Sequence, residues 1–127
     1  MKFPDWLVDP TRGTKKEIAS LFSGRMNLPD SEYYSRFYSS SNISLDIVAR
    51  IRNVFAAQIG EEFRLLYPDD DWTKEFQIIW KLDSMGNVEM HLALESEFKI
   101  AISEQESASM TCIRKVSEII NEKKNRA

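Results

Sequence analysis

Asp83 and Ser84 precede Met85 and a hydrophobic periodic run, so a carboxylate and a hydroxyl stand together where a helix is expected to open. A serine hydroxyl there can act as a nucleophile, accept a covalently attached group, or cap the helix. The run behind it sets its position: Met90, Leu94 and Phe98 recur four apart, and Val88 and Leu92 do the same on an adjoining stripe. That spacing predicts an amphipathic helix with one face on a core. Ser84 then lies beside the positive end of the helix dipole and its unpaired N–H groups, an environment that favours a phosphate ester. As a cap alone the hydroxyl contributes about 1 kcal/mol.

Other chemistries fit less well. His91 is the sole histidine and lies seven positions along the same expected helix, about 10 Å from Ser84 at the helical rise, too far for proton transfer. No G-x-S-x-G elbow surrounds the serine, and His91 reads as a half-exposed helix residue. The run Asp69, Asp70, Asp71 fails as a calcium loop, because Lys74 and Trp80 stand where Gly and Glu are needed; a solvated acidic turn is expected. Cys112 is the sole cysteine and cannot form an internal disulfide; beside Ile113 and Val116 it reads as a small buried residue. No Cys/His set for zinc is present, no metal site and no catalytic residue are expected, and the chain does not read as an enzyme.

The segment Asp83, Ser84, Met85, followed by Val88, Glu89, Met90 and then by Ala93, Leu94, Glu95, Glu97 and Phe98, resembles the acyl carrier proteins. In that family an Asp-Ser-Leu triplet opens a helix and bears the prosthetic group. The resemblance continues through a short Ile-x-Ile, an acidic stretch and a final helix, covering roughly residues 44–120. It implies an all-α fold: an acyl-carrier-like four-helix bundle at residues 44–127 behind a short, helical, aromatic-rich N-terminal extension at residues 1–43. It also implies 4′-phosphopantetheine on Ser84, flanked by Asp83 and Met85, carrying acyl intermediates as thioesters. Glu89, Glu95 and Glu97 would dock on basic surfaces of a phosphopantetheinyl transferase and of acyl-handling enzymes. Acyl chains could tuck among the helices, with Met85, Met90 and Leu92 as adaptable walls. The alternative is an unmodified carrier-like module that forms a stable complex or a homodimer through its N-terminal aromatics.

The approach to Ser84 departs from the family. Trp72 stands where the family keeps an aromatic, but Phe76, Ile78, Ile79, Trp80 and Leu82 replace a short Gly-containing turn, which predicts a helical or partly extended approach. Gly86 also stands where the family usually has an acidic residue.

The remaining elements must position these groups. At 127 residues the chain reads as one domain plus an extension. Its net charge of −3 is unevenly spread: residues 44–110 are strongly acidic, whereas the end, with Arg114, Lys115, Lys123, Lys124 and Arg126, is basic. The acidic middle argues against nucleic acid as a partner. No apolar run approaches the roughly 20 residues of a transmembrane helix, no secretory signal is apparent, and a cytoplasmic location is expected.

Phe3, Trp6, Leu7 and Val8 between Pro4 and Pro10 suggest an irregular segment pinned by aromatics. Thr14 and Glu17 form a capping-box pattern into Ile18, Leu21 and Phe22, with a stop near Gly24. Pro29 and Asp30 introduce a second helix bearing Tyr33, Tyr34, Phe37 and Tyr38, which pack on the bundle or on a partner. Ser44 or Asn42 caps the next, whose buried face is Ile47, Val48, Ile51, Val54, Phe55 and Ile59 and whose stop is Gly60. Beyond Phe98 an extended link leads to a Ser103/Glu106 capping box, then to a closing helix with Cys112, Ile113, Val116, Ile119 and Ile120 inward.

Overall fold

The stripe Ile47, Val48, Ile51, Val54 and Phe55 is buried along its whole length and forms the axis of the structure. A computed structural model describes residue 16, residues 19–74 and residues 86–126. Among these residues every regular element is helical: α1 (Asp30–Phe37), α2 (Leu45–Ile59), a 3₁₀ helix (Glu61–Leu65), α3 (Gly86–Phe98), α4 (Glu104–Ser109) and α5 (Ile113–Arg126). Residues 19–21 are also helical. The fold is all-α, in agreement with an acyl-carrier-like helical bundle, and no described helix is long and apolar enough to cross a membrane.

Helix α2 touches α1, the 3₁₀ helix, α3 and α5, so it is the element on which the others assemble. Ser44 begins it as expected: its Oγ accepts a hydrogen bond from the Ile47 N–H at 3.3 Å. Gly60 ends it at φ +131°, a backbone conformation that side chains oppose, and a Cβ there would collide with the Glu62 side chain. The 3₁₀ helix that follows was not foreseen from the sequence. It tightens the chain after the glycine so that Phe63 turns inward, 1% exposed and edge-on to Phe22.

One hydrophobic core spans both sides of position 44. Phe22, Leu28, Tyr33, Tyr38 and Ile43 join it together with Ile51 of α2, Leu94 of α3 and Ile120 of α5. The two buried tyrosines satisfy their hydroxyls internally, Tyr33 donating to the Leu66 carbonyl at 2.8 Å and Tyr38 meeting Ser117 Oγ at 3.0 Å. Arg52, 3% exposed, lies beneath this segment with its guanidinium over the Tyr33 ring, donating to Asp30 Oδ1, to Asn27 Oδ1 and to the Arg64 carbonyl. Phe3, Trp6 and the Thr14/Glu17 capping box lie outside the described residues.

The three consecutive aspartates form an acidic turn in which Asp69 is exposed, as expected, but each carboxylate also has defined hydrogen-bond partners. Asp70 receives a fork from Arg25 and also accepts from the Tyr67 N–H at 2.6 Å. Asp69 receives a second fork, from Arg114 at 2.6 and 3.0 Å, and this bond holds its carboxyl below the usual carboxylate range. Asp71 turns the other way and accepts from the Thr73 N–H and hydroxyl, which lower its pKa too. Asp69 and Asp70 thus tie the loop to two distant parts of the chain, through Arg114 and Arg25, while the Asp71 bonds stay within the loop.

Helix α3 buries Met90, Leu94 and Phe98, but Leu92 is 57% exposed rather than part of a second buried stripe. At about 100° per residue, Leu92 points nearly opposite to Met90 and Leu94, and a single four-residue row suffices to cover α2. Lys99 adopts φ +53° and the Ile100 N–H donates to the Glu95 carbonyl, which closes the helix and swings Ile102 inward. The Ser103/Glu106 capping box of α4 is formed in both directions. Helix α5 buries Ile113, Val116 and Ile120 after the buried Cys112, with Ile119 at the edge.

Candidate functional site

Helix α3 carries the three glutamates singled out in the sequence, and its buried row packs against α2. Asp83, Ser84 and Met85 lie outside the described residues, which take up the chain again at Gly86, the first residue of α3. The three glutamates differ in their surroundings. Glu89 is exposed on the first turn. Glu95 is half-buried, and its Oε2 accepts from the Ile102 N–H at 2.8 Å while standing 3.4 Å from His91 Nε2. Glu97 accepts from Arg50 Nε at 2.9 Å, and Arg50 also donates to the Glu97 carbonyl and covers the Phe98 ring. The bond to Glu97 is the first cause that raises the Arg50 pKa above its usual value.

His91 is half-exposed and lines a small recess. A cavity of about 40 Å³ lies between α2, α3, α4 and α5, lined by Phe55, Trp72, Met90, Leu94, Met110 and Val116 together with His91 and Ser107. A groove of about 530 Å³ shares Trp72, His91, Ser107 and Met110 with it and is completed by Thr73, Glu104 and Ala108. Roughly three water-sized groups would fill the inner part, and the two methionines that wall it can move to admit more. Of the expected acyl-chain walls, Met90 lines this cavity, Leu92 points to solvent, and Met85 lies outside the described residues. His91 and Ser107 were not linked to it by the sequence, since the wall joins helices that have no local relationship. Among the described residues no group of three or more His, Cys, Asp or Glu could hold a metal ion.

Comparison with known proteins gives a relative of the expected kind. The chain is 28% identical over 80 residues to an acyl carrier protein of Cyanidium caldarium, an overlap of 63% of this chain and 88% of that protein. No family model and no solved structure matches it. The chain is therefore an all-helical protein with distant similarity to an acyl carrier protein.

Proposed function

We propose that the chain carries acyl groups, bound as thioesters to a 4′-phosphopantetheine arm on Ser84, for presentation to partner enzymes. The observation that carries this reading is the placement of the Asp83, Ser84, Met85 triplet immediately before α3, whose Met90, Leu94 and Phe98 form the buried row that the family's pattern requires. The distant similarity to an acyl carrier protein supports it, as does the cavity that opens between α2, α3, α4 and α5.

The residues present suit such a group: an attachment hydroxyl next to a helix start, an exposed Glu89 one turn onward, and an apolar recess beside the same helix. When attached, the arm supplies a terminal thiol that holds the acyl group. The chain itself supplies the hydroxyl, a rigid helix that presents it, and an acidic outer face on which enzymes with basic surfaces dock. No catalytic group is assigned to the chain.

The competing reading, a stable module that dimerises through N-terminal aromatics, has less support. Phe22, Tyr33 and Tyr38 are spent in the chain's own core and offer no face to a second copy. The test is intact mass after incubation with coenzyme A and a broad-specificity phosphopantetheinyl transferase. One arm is expected on the native chain and none on Ser84→Ala; an unchanged mass of folded native chain would overturn the carrier assignment.

A further inference from the structure

The cavity beside α3 is not uniformly apolar. Phe55, Met90, Leu94 and Val116 line it alone, whereas Trp72, His91, Ser107 and Met110 line both the cavity and the neighbouring groove. Its hydrocarbon walls therefore lie inward, and its two polar side chains lie where the two spaces meet. A saturated chain entering here would take water from an imidazole and a hydroxyl and return no hydrogen bond to either.

The two polar groups are committed differently. His91 Nε2 stands 3.4 Å from Glu95 Oε2, and in the neutral ring the nitrogen that faces a carboxylate carries the proton. Nδ1 is then left as an acceptor. Ser107 differs from Ser109 and Ser117, which return their protons to the carbonyls of Glu106 and Arg114 at 2.7 Å. Among the described residues Ser107 forms hydrogen bonds only through its backbone, to the Ser103 carbonyl and from the Met110 N–H. Together α3 and α4 thus offer one acceptor and one hydroxyl free to donate. A ligand hydroxyl can donate to the imidazole and accept from the serine at once. A ketone oxygen only accepts, so it would leave Nδ1 without a partner.

Size limits the rest of the ligand. A cavity of about 40 Å³ admits roughly three water-sized groups, enough for a methyl, a carbon that bears oxygen, and that oxygen. With the methyl among the inner walls, the oxygen falls beside the two polar side chains. We propose that His91 and Ser107 are specificity-determining residues that select a short acyl chain hydroxylated on its third carbon, over saturated and keto chains of the same length. The terminal methyl of such a chain packs between Phe55, Leu94 and Val116, and its first two carbons remain in the groove. This selection rests on the carrier reading and narrows it to a substrate class.

The full-length chain, labelled with ¹³C on its methionine methyl groups and with ¹⁵N on histidine, should be loaded by a phosphopantetheinyl transferase. The donors are coenzyme A and its butyryl, 3-oxobutyryl and 3-hydroxybutyryl thioesters, and intact mass verifies each product. The 3-hydroxybutyryl form should shift the Met90 and Met110 methyl signals and move the His91 Nδ1 signal as an accepted hydrogen bond does. The butyryl and 3-oxobutyryl forms should leave Nδ1 where it stands in the unacylated form. Ser107→Ala and His91→Phe should each reduce the population of the enclosed hydroxylated chain about twofold to tenfold, as for one lost hydrogen bond. Ser107 is half-buried, and its alanine variant carries the test by itself should His91→Phe fail to fold. An arm that attaches but gives equal or larger shifts with the butyryl or 3-oxobutyryl chain, an Nδ1 signal that ignores the hydroxylated chain, or folded variants with the native response would overturn this selection and leave the carrier reading standing. Failure of any arm to attach to the folded chain would overturn both.

Discussion

The Tyr38 hydroxyl lies 3.0 Å from Ser117 Oγ, and both side chains are closed off from solvent. Ser117 has one proton and places it on the Arg114 carbonyl at 2.7 Å, so Tyr38 is the donor of the pair. The bond ties the end of α1 to the inward side of α5 and gives the buried phenol an acceptor for its proton. Burial is the larger influence on that phenol and pushes its pKa up to about 12, against the opposing effect of the Ser117 bond.

Tyr38→Phe removes a donor but leaves Ser117 its own bond, so a loss of about 1 kcal/mol is expected. Ser117→Ala strands the phenolic O–H in the core and should cost more, about 1–3 kcal/mol. The double variant should lose less than the sum of the two, because the same bond is counted twice. Chemical denaturation of the four proteins measures this, and strictly additive losses would contradict the assigned donor.

The buried tyrosines also set an alkaline limit. Burial raises the pKa of both Tyr33 and Tyr38, so the folded chain holds these protons more tightly than the unfolded chain. The contribution of each is whole below the ordinary value of 10.0; that of Tyr38 is lost as pH rises from there toward about 12, and that of Tyr33, raised further, is lost over a range that extends higher. Asp69 has the opposite sign: Arg114 lowers its pKa from 3.8, so its contribution is present above that value and is lost as pH falls below it. Alkaline unfolding followed by circular dichroism should coincide with late tyrosinate absorbance. Ionisation of all four tyrosines near their ordinary value in a still-folded chain would be incompatible with this core.

Sequence pattern revealed what depends on neighbouring residues. The row from Ile47 to Phe55, the Ser44 cap, the Gly60 stop and the Ser103/Glu106 box each arise within a few positions, where helical period and capping chemistry leave a signature. The ties from Arg25 to Asp70, Arg114 to Asp69 and Arg52 to Asp30 have no such signature, because their partners are brought together only by tertiary structure. The same limit hid the meeting of His91 with Ser107 at the cavity. Leu92 misled because a four-residue spacing to Val88 does not say which of two possible stripes is covered. For Ser84 the motif is legible as letters, while the geometry of its hydroxyl belongs to residues that are not described.

Removing residues 1–43 should leave a chain that does not fold. The deletion takes Phe22, Leu28, Tyr33 and Tyr38 from the core and strips Arg52 of Asp30 and Asn27. Arg52 is 3% exposed and its Nε already lacks a partner, so its guanidinium would keep only the Arg64 carbonyl. Uncovering a buried charge and several large side chains exceeds the roughly 5–15 kcal/mol that hold a domain together. Circular dichroism and dispersion of amide signals test this; a cooperative unfolding transition in the fragment 44–127 would show that the bundle stands alone.

The glutamates of α3 should separate when each is replaced. Glu95 accepts the Ile102 N–H, and Ile102 is 5% exposed, so Glu95→Ala leaves a buried donor unpaired and should cost about 1–3 kcal/mol. Glu89 is exposed on the first turn, and Glu89→Gln should change stability by no more than about 0.5 kcal/mol. If enzymes dock on this helix through its charge, Glu89→Gln should slow arm transfer to Ser84 with an unchanged melting temperature, and added salt should narrow the gap from the native chain. Glu95→Ala should instead lower the melting temperature whatever the docking partner. Equal transfer rates for native chain and Glu89→Gln at low salt would remove Glu89 from the docking face and leave Glu95 a structural role alone.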